Sequence, residues 1–289
     1  MLIQQIVSGL AAGSLYALAA LGLVLIYKTS DLVNFAQGEM AMVSTFVCYT
    51  FLHLWGFNYW SSFLLALVFA AIFGILIERI FMRPVQKAPV LSQIILTLGL
   101  YMAFRGIAGQ IWGHNPIPFP EAVTGDAISL GNILVRPNQI FIIGLTLVLM
   151  LLFFCLFRFT KVGLAMRAAA QNFRTAQLMG IRVGTVFSIT WALSIVLGGV
   201  AGILIAPTTY LGPTMMGELL IKAFAAAVLG GFTSLPGAVI GGLLLGVFEN
   251  LIAAYVSAEL KTAFVFFLVI FILYIKPTGI IGVRQVKKV

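Results

Sequence analysis

Groups able to do acid–base, nucleophilic or metal chemistry are scarce in this sequence: eight Asp and Glu, two His and two Cys in 289 residues. His53 and His114 fall at or near the ends of apolar runs, and their spacing spells no metal site. Cys48 and Cys155 sit alone inside apolar runs, where a buried, inert thiol is the ordinary outcome and no disulfide or metal framework is expected. The phosphate-cradling pattern G-x-x-x-x-G-K-[ST] is absent, so the chain carries no P-loop. H-E-x-x-H, G-x-S-x-G and the Thr-Val-Gly-Tyr-Gly filter are absent too. Neither cofactor nor catalytic constellation is expected.

What remains is a set of polar groups inside apolar sequence. Such groups are costly in lipid and face protein or a water-filled path. Arg105 lies well inside one apolar run, and Glu249 and Asn250 inside another. Glu218 and Lys222 stand four apart in the favourable Glu-before-Lys order and read as a snorkelling pair near the outer surface. The string Leu32-Val33-Asn34-Phe35-Ala36-Gln37-Gly38-Glu39-Met40 brings Asn34, Gln37 and Glu39 to the edge of a run. They fit a polar path. They equally fit a helix start, with Asn34 or Asp31 as cap and Glu39 favouring the N-terminal dipole.

Two further stretches stand out. From Thr160 to Ile181 the chain is basic and alanine-rich, bracketed by Gly163 and Gly180. Arg167, Gln171 and Arg174 recur at helical spacing, and Ala168, Ala169, Ala170 and Ala176 would let another surface approach. The segment suits a short helix that docks on a partner protein, or a loop whose charges serve only orientation. The second stretch, Ala225–Gly242, holds Gly230-Gly231 and Pro236-Gly237. Gly237/Gly241 and Gly242/Gly246, like Gly9/Gly13 and Gly198/Gly202, place small residues four apart, as close helix packing requires. A broken helix lining a cavity is the other reading.

The elements that must position these groups follow from composition. The chain is 62% hydrophobic and 9% charged, against about 25% charged in soluble domains; so few charges cannot cover a water-facing surface. With a mean hydropathy of +1.12, an all-α polytopic transmembrane bundle is expected. Apolar runs fall near 3–26, 36–55, 61–81, 91–112, 139–158, 184–206, 218–256 and 262–276. The run at 218–256 is too long for one span and splits into a short or re-entrant segment near 218–233 and a full span. At about 20 residues per span the total is about eight or nine, in a single domain covering 1–289.

Charge sets the expected orientation. Net charge is +9, which marks cytoplasmic loops here rather than a nucleic-acid surface. Lys28, then Arg79, Arg83 and Lys87, then Arg158, Lys161, Arg167, Arg174 and Arg182, and finally Lys276, Arg284, Lys287 and Lys288 would lie inside. The loop at 113–138 carries Glu121 and Asp126 against Arg136, and the 207–217 connector is uncharged. The N-terminus is therefore expected outside and the C-terminus in the cytoplasm, with Trp55, Trp60 and Trp112 in an outer aromatic belt.

The motifs Asn34-Phe35-Ala36-Gln37-Gly38-Glu39, Gly163–Gly180, Ala226-Ala227-Val228-Leu229-Gly230-Gly231, Leu235-Pro236-Gly237-Ala238 and Lys276-Pro277-Thr278-Gly279-Ile280 occur together and in order. They resemble the shorter inner-membrane permease subunit of branched-chain amino acid ABC importers, from about Gly9 to the C-terminus; Gln37 stands where many relatives carry His. The resemblance implies a multi-pass protein of a bacterial or archaeal inner membrane. It would work with a second homologous permease, as a heterodimer, with two cytoplasmic ATPases and with a periplasmic binding protein. The segment at about 159–183 would be the coupling loop, with Gly163, Arg167, Ala168, Gln171, Asn172, Ala176 and Gly180 docking on an ATPase. Asn34, Gln37, Glu39, Thr97, Glu249 and Asn250 would line or gate the path. Branched-chain amino acids are the expected cargo, with urea, short amides or small organic acids as alternatives. A gradient-driven transporter or channel is the reading from another class.

Overall fold

The computed structural model describes residues 2–86, 88–130 and 133–282. Lys87, Arg284, Lys287 and Lys288, counted above as cytoplasmic charges, lie outside the described residues. Apolar runs become helices where expected. In chain order these are α1 (Leu2–Ser30), α2 (Gln37–His53), α3 (Tyr59–Ile77), the short α4 (Arg83–Val85), α5 (Val90–Trp112), α6 (Pro137–Phe159), α7 (Lys161–Gln171), α8 (Phe173–Leu178), α9 (Val183–Thr209), α10 (Met216–Gly230), α11 (Leu235–Tyr255) and α12 (Lys261–Ile275). A small antiparallel hairpin, β1 (Ile128–Leu130) with β2 (Ile133–Val135), precedes α6. Among the described residues six helices are long and apolar enough to cross a membrane: α1, α3 with its extension, α5, α6, α9 and α11. Lys261–Ile275 is a shorter apolar helix. The split expected at Gly230–Pro236 is found between α10, of 15 residues, and α11, of 21.

Two helix breaks have local causes. Helix α1 stops at Asp31, which adopts φ 51, a left-handed conformation that Asp tolerates better than most residues. The following irregular segment is nonetheless buried at Leu32, Asn34 and Ala36. Asn34 Oδ1 accepts the Ala36 N–H at 3.0 Å, satisfying backbone that lipid could not. The capping expectation is corrected here: Ala36, not Asn34 or Asp31, holds the cap position of α2, without a side-chain bond. Helix α3 runs through one π turn (Glu78–Met82) into α4, and the Arg83 N–H donates to the Glu78 carbonyl five residues back. Pro84 explains the widening, since it has no N–H and its ring crowds the carbonyl four residues earlier.

The chain divides into two compact units. The unit formed by Leu25–Glu121 and Leu149–Leu219 is built around α9, buried over 83% of its most apolar window. Trp191 and Ile195 of α9 meet Met40 of α2, Ala70 and Ile77 of α3, and Leu100 of α5. The Gly198/Gly202 pair works as expected: a methyl at Gly198 would lie 3.2 Å from Ala41 Cβ, and one at Gly202 3.2 Å from the Ala41 carbonyl oxygen. Trp112, half-buried at the end of α5, is held by its neighbours. It stacks on Phe46 at 4.8 Å and donates its Nε1–H to Thr50 Oγ1 at 3.0 Å, whereas Trp55 and Trp60 are exposed. Cys48 is buried as expected; Cys155 is exposed on α6, so its expected burial is corrected.

The other unit comprises Met1–Val24, Ala122–Val148 and Leu220–Val289. In it α1 and α11 meet through glycines: a methyl at Gly13 would lie 2.8 Å from the Gly242 carbonyl oxygen, and one at Gly242 2.6 Å from Ala17 Cα. Gly231 (φ 106) ends α10, and Ser234 caps α11 by accepting the Gly237 N–H at 3.1 Å. The segment after α12 folds back on this turn, with Ile280 N–H donating to the Leu229 carbonyl and Ile281 N–H to that of Gly230. The ends of α10 and α12 therefore sit side by side. Because backbone cannot yield as a flexible side chain does, we expect Gly242→Ala to destabilise the purified protein by about 1–3 kcal/mol. Gly99→Ala on α5 meets open space and is expected to be neutral or stabilising by up to about 1 kcal/mol. Thermal unfolding of both variants in detergent checks the contrast.

Candidate functional site

Three polar constellations arise from these elements. The first lies at the start of α2. Asn34, Gln37 and Glu39 are all buried there. Asn34 Nδ2 contacts Met40 Sδ at 3.8 Å, and Glu39 Oε2 has no hydrogen-bond partner among the described residues. Thr97 on α5, which packs on α2, is fully buried and donates to the Ile94 carbonyl at 2.8 Å. Arg105 stands two turns further along α5 than Thr97. Asn34, Gln37, Glu39 and Thr97 all fall in the same unit, on α2 and its entry and on α5, which packs on α2.

The second lies in the other unit, with Glu249 at its centre. Lys222 Nζ meets Glu249 Oε1 at 2.6 Å, and Tyr16 donates its hydroxyl to Glu249 Oε2 at 2.9 Å. Lys222 also reaches the Tyr16 hydroxyl at 3.3 Å, and Lys261 Nζ approaches Glu249 Oε1 at 3.5 Å. Lys222 is only 4% exposed, so its expected snorkelling to the surface beside Glu218 is corrected: it turns inward to a carboxylate 27 residues on. Asn250 donates to the Gly246 carbonyl of its own helix at 3.2 Å. A buried pair broken on one side leaves an uncompensated charge worth about 3–5 kcal/mol, whereas replacing both members by apolar groups is often neutral. Lys222→Met alone is therefore expected to lower stability, by less than a full break because Lys261 and Tyr16 still face Glu249, and Lys222→Met with Glu249→Leu to recover most of it. Thermal unfolding reads the stability, and uptake by the double variant reports whether the pair also serves the path.

The third is the segment between α6 and α9. Thr160 caps α7 by accepting the Gly163 N–H at 3.1 Å. Asn172, in extended conformation, breaks the segment and caps α8 by accepting the Thr175 N–H at 3.0 Å. Gly180 turns the chain out at φ 80. One expected helix is thus two. Gly163 is buried against the Leu156 and Phe157 carbonyls, where no side chain fits. Met166, Ala169 and Ala176 are buried. Arg167 and Ala168 are half-buried, and Gln171 and Asn172 exposed. The small residues therefore face inward more than the composition suggested. The exposed face carries Leu164, Leu178 and Met179, an apolar surface outside any span of the kind that marks protein contacts.

Both α7 and α8 pack on α9, whose first turn is held by a cluster that spacing alone did not reveal. Arg83 grips Glu78 with two bonds, Nε to Oε1 at 3.0 Å and Nη2 to Oε2 at 2.7 Å. The same Nη2 reaches the Gly184 carbonyl at 2.9 Å and Ser188 Oγ at 2.8 Å, and the Ser188 hydroxyl lies 2.7 Å from Glu78 Oε2. Glu78 is fully buried. Among the described residues no group of three or more His, Cys, Asp or Glu could hold a metal.

Comparison with known proteins decides the family. Residues 5–273 match the family model described as branched-chain amino acid transport system / permease component. The chain belongs to this permease family. The permease is 34% identical to the high-affinity branched-chain amino acid transport system permease protein LivH of Salmonella typhimurium, over 99% of this chain and 97% of the relative. It is 31% identical to the corresponding protein BraD of Pseudomonas aeruginosa, over 99% and 98%. It is 34% identical to the probable branched-chain amino acid transport permease LivH of Methanocaldococcus jannaschii, over 93% and 89%. No solved structure matches. The permease is thus a multi-pass helical membrane protein and a transport subunit.

Proposed function

We propose that this permease forms half of the membrane path of an ATP-driven importer, paired with a second, longer permease as a heterodimer. Its cargo is a branched-chain or related amino acid delivered by a periplasmic binding protein. Two cytoplasmic ATPases supply the energy, and both units work as one permease domain across 1–289. The observation that carries the reading is the α7–α8 segment: two capped helices on the basic side of the chain, seated on α9, with Gln171, Asn172, Leu164, Leu178 and Met179 exposed. Gly163, Arg167, Ala168, Ala176 and Gly180 shape and support that docking face. Closure of the ATPases on ATP pushes α7 and α8, and α9 passes the movement to α3 through the Glu78–Arg83–Ser188 cluster. The path opens outward, receives ligand, and resets on hydrolysis. Asn34, Gln37, Glu39, Thr97, Glu249 and Asn250 supply its polar groups, and selectivity rests on the binding protein.

Orientation follows from charge and parity. With α2, α10 and α12 counted as crossings beside the six long apolar helices, nine crossings among the described residues put the two ends of the described chain on opposite sides, with the N-terminal end outside. Gentle purification from native membrane, with mass spectrometry of the co-purifying proteins, tests the reading. Two P-loop ATPases and a second permease are expected. An active preparation of this chain alone contradicts it.

A further inference from the structure

A further cavity includes Arg105 in its lining but none of Asn34, Gln37, Glu39, Thr97, Glu249 and Asn250. In the unit built around α9, this cavity of about 470 Å³ opens between the C-terminal half of α5 and the chain that follows α9, a size suited to a small ligand. Tyr101, Arg105, His114, Tyr210 and Thr214 are among its lining residues. Among the described residues Arg105 is the one formal charge in that lining, and no carboxylate shares it. Among the described residues the guanidinium donates one hydrogen bond, Nη1 to the Tyr101 hydroxyl at 2.9 Å. A guanidinium carries five N–H donors in a fork that fits a carboxylate, so most of its capacity is open to a ligand or water.

The rim is built rather than incidental. Ile117 and Leu211 exchange both backbone bonds, at 2.9 and 2.8 Å, tying the chain after α5 to the chain after α9. Beside this bridge Tyr210 is held at φ 59 and ψ 150, a conformation that is almost restricted to glycine and is retained where the surroundings enforce it, often at ligand clamps. A cation, a phenol beside it, a strained aromatic and a pinned rim converge on one space.

We propose that this cavity is the outer station of the path, where the carboxylate of an amino-acid-class ligand is received by the Arg105 guanidinium after leaving the binding protein. The inference rests on the importer reading, since it needs a path that opens here. It adds a recognised chemical group and a residue to hold it. Tyr101 positions Arg105 by accepting its Nη1–H at 2.9 Å.

The test uses the whole complex, with its binding protein, in phosphatidylcholine vesicles. Thr214→Cys is placed in a Cys155→Ser background, since Cys48 is buried. Its reaction with an anionic and a cationic methanethiosulfonate is timed. The station predicts a preference for the anionic reagent that Arg105→Gln reduces about tenfold, from the loss of one charged hydrogen-bonding partner, and that Arg105→Lys partly keeps. Leucine and isocaproate slow the labelling, whereas leucinamide, which lacks the carboxylate, does not. Uptake falls in Arg105→Gln by a similar factor. The proposal is overturned if Arg105→Gln keeps the anionic preference, if leucinamide protects as well as leucine, or if only added phosphatidylglycerol protects, which would make the ligand a lipid headgroup. Normal uptake by Arg105→Gln sinks the station alone. ATP-independent uptake by the unaltered complex sinks the importer reading instead, and the labelling distinguishes the two failures.

Discussion

Arg83→Ala is expected to cost the folded permease about 1–3 kcal/mol, because it leaves the buried Glu78 carboxylate short of its charged donor, although the Arg83 side chain is itself 40% exposed and its removal admits water. Arg83 supplies two bonds to that carboxylate and two more to Gly184 and Ser188. With the guanidinium gone, the Ser188 hydroxyl is the side-chain donor left to Glu78 among the described residues. The informative comparison is the double variant Glu78→Gln with Arg83→Gln. It removes both charges, keeps polar groups near Ser188, and is expected to be clearly more stable than Arg83→Ala. Thermal unfolding in detergent measures both. The cluster also joins the end of α3 to the first turn of α9, so the double variant is expected to lose transport rate while keeping its fold. Equal stability of wild type and Arg83→Ala would show that Glu78 finds another partner and that the joint is dispensable.

The second large effect concerns the segment after α6. Ala168→Glu with Gln171→Glu adds two carboxylates to the face proposed to dock on an ATPase. Ala168 is half-buried and Gln171 exposed, and neither seals the core as Met166 and Ala169 do. The altered chain is therefore expected to insert and unfold as the wild type does. An unpaired charge buried at an interface costs about 2–5 kcal/mol, so the pair is expected to lower ATP-driven uptake about a hundredfold or more, with the ATPases lost on purification. Undiminished uptake would remove α7 from the contact and return the segment to a role in orientation alone.

The fold was largely legible because lipid imposes a simple rule: each span is a long apolar helix. The runs near 91–112 and 139–158 became α5 and α6 almost residue for residue, and Gly230 and Pro236 marked the break between α10 and α11. Glycine spacing was legible for the same reason, since Gly198 and Gly202 share one helix face. Pairings across the chain were not. Tyr16 meets Glu249 over 233 positions, and Ser188 meets Glu78 over 110; no local period encodes either contact. Lys222 misled because Glu218 stood at the right helical offset, which gave no sign that a second carboxylate on the next helix also meets it. Glu78 and Arg83 had a faint signal: Pro84 directly after Arg83 favours a widened turn, and that turn carries both side chains. Alanines in the α7–α8 segment were visible as small residues, but which of them face inward depends on where α9 lies.

The central claim is that this chain forms part of a path powered by ATP hydrolysis on separate subunits. Uptake of radiolabelled leucine into proteoliposomes tests it most directly. They would carry the purified complex, with binding protein outside and ATP or a non-hydrolysable analogue enclosed. Accumulation above the external leucine concentration only when ATP and binding protein are both present is the predicted result. Accumulation that follows an imposed ion gradient, or equilibration without ATP, would contradict the account and make the chain a gradient-driven transporter or a channel.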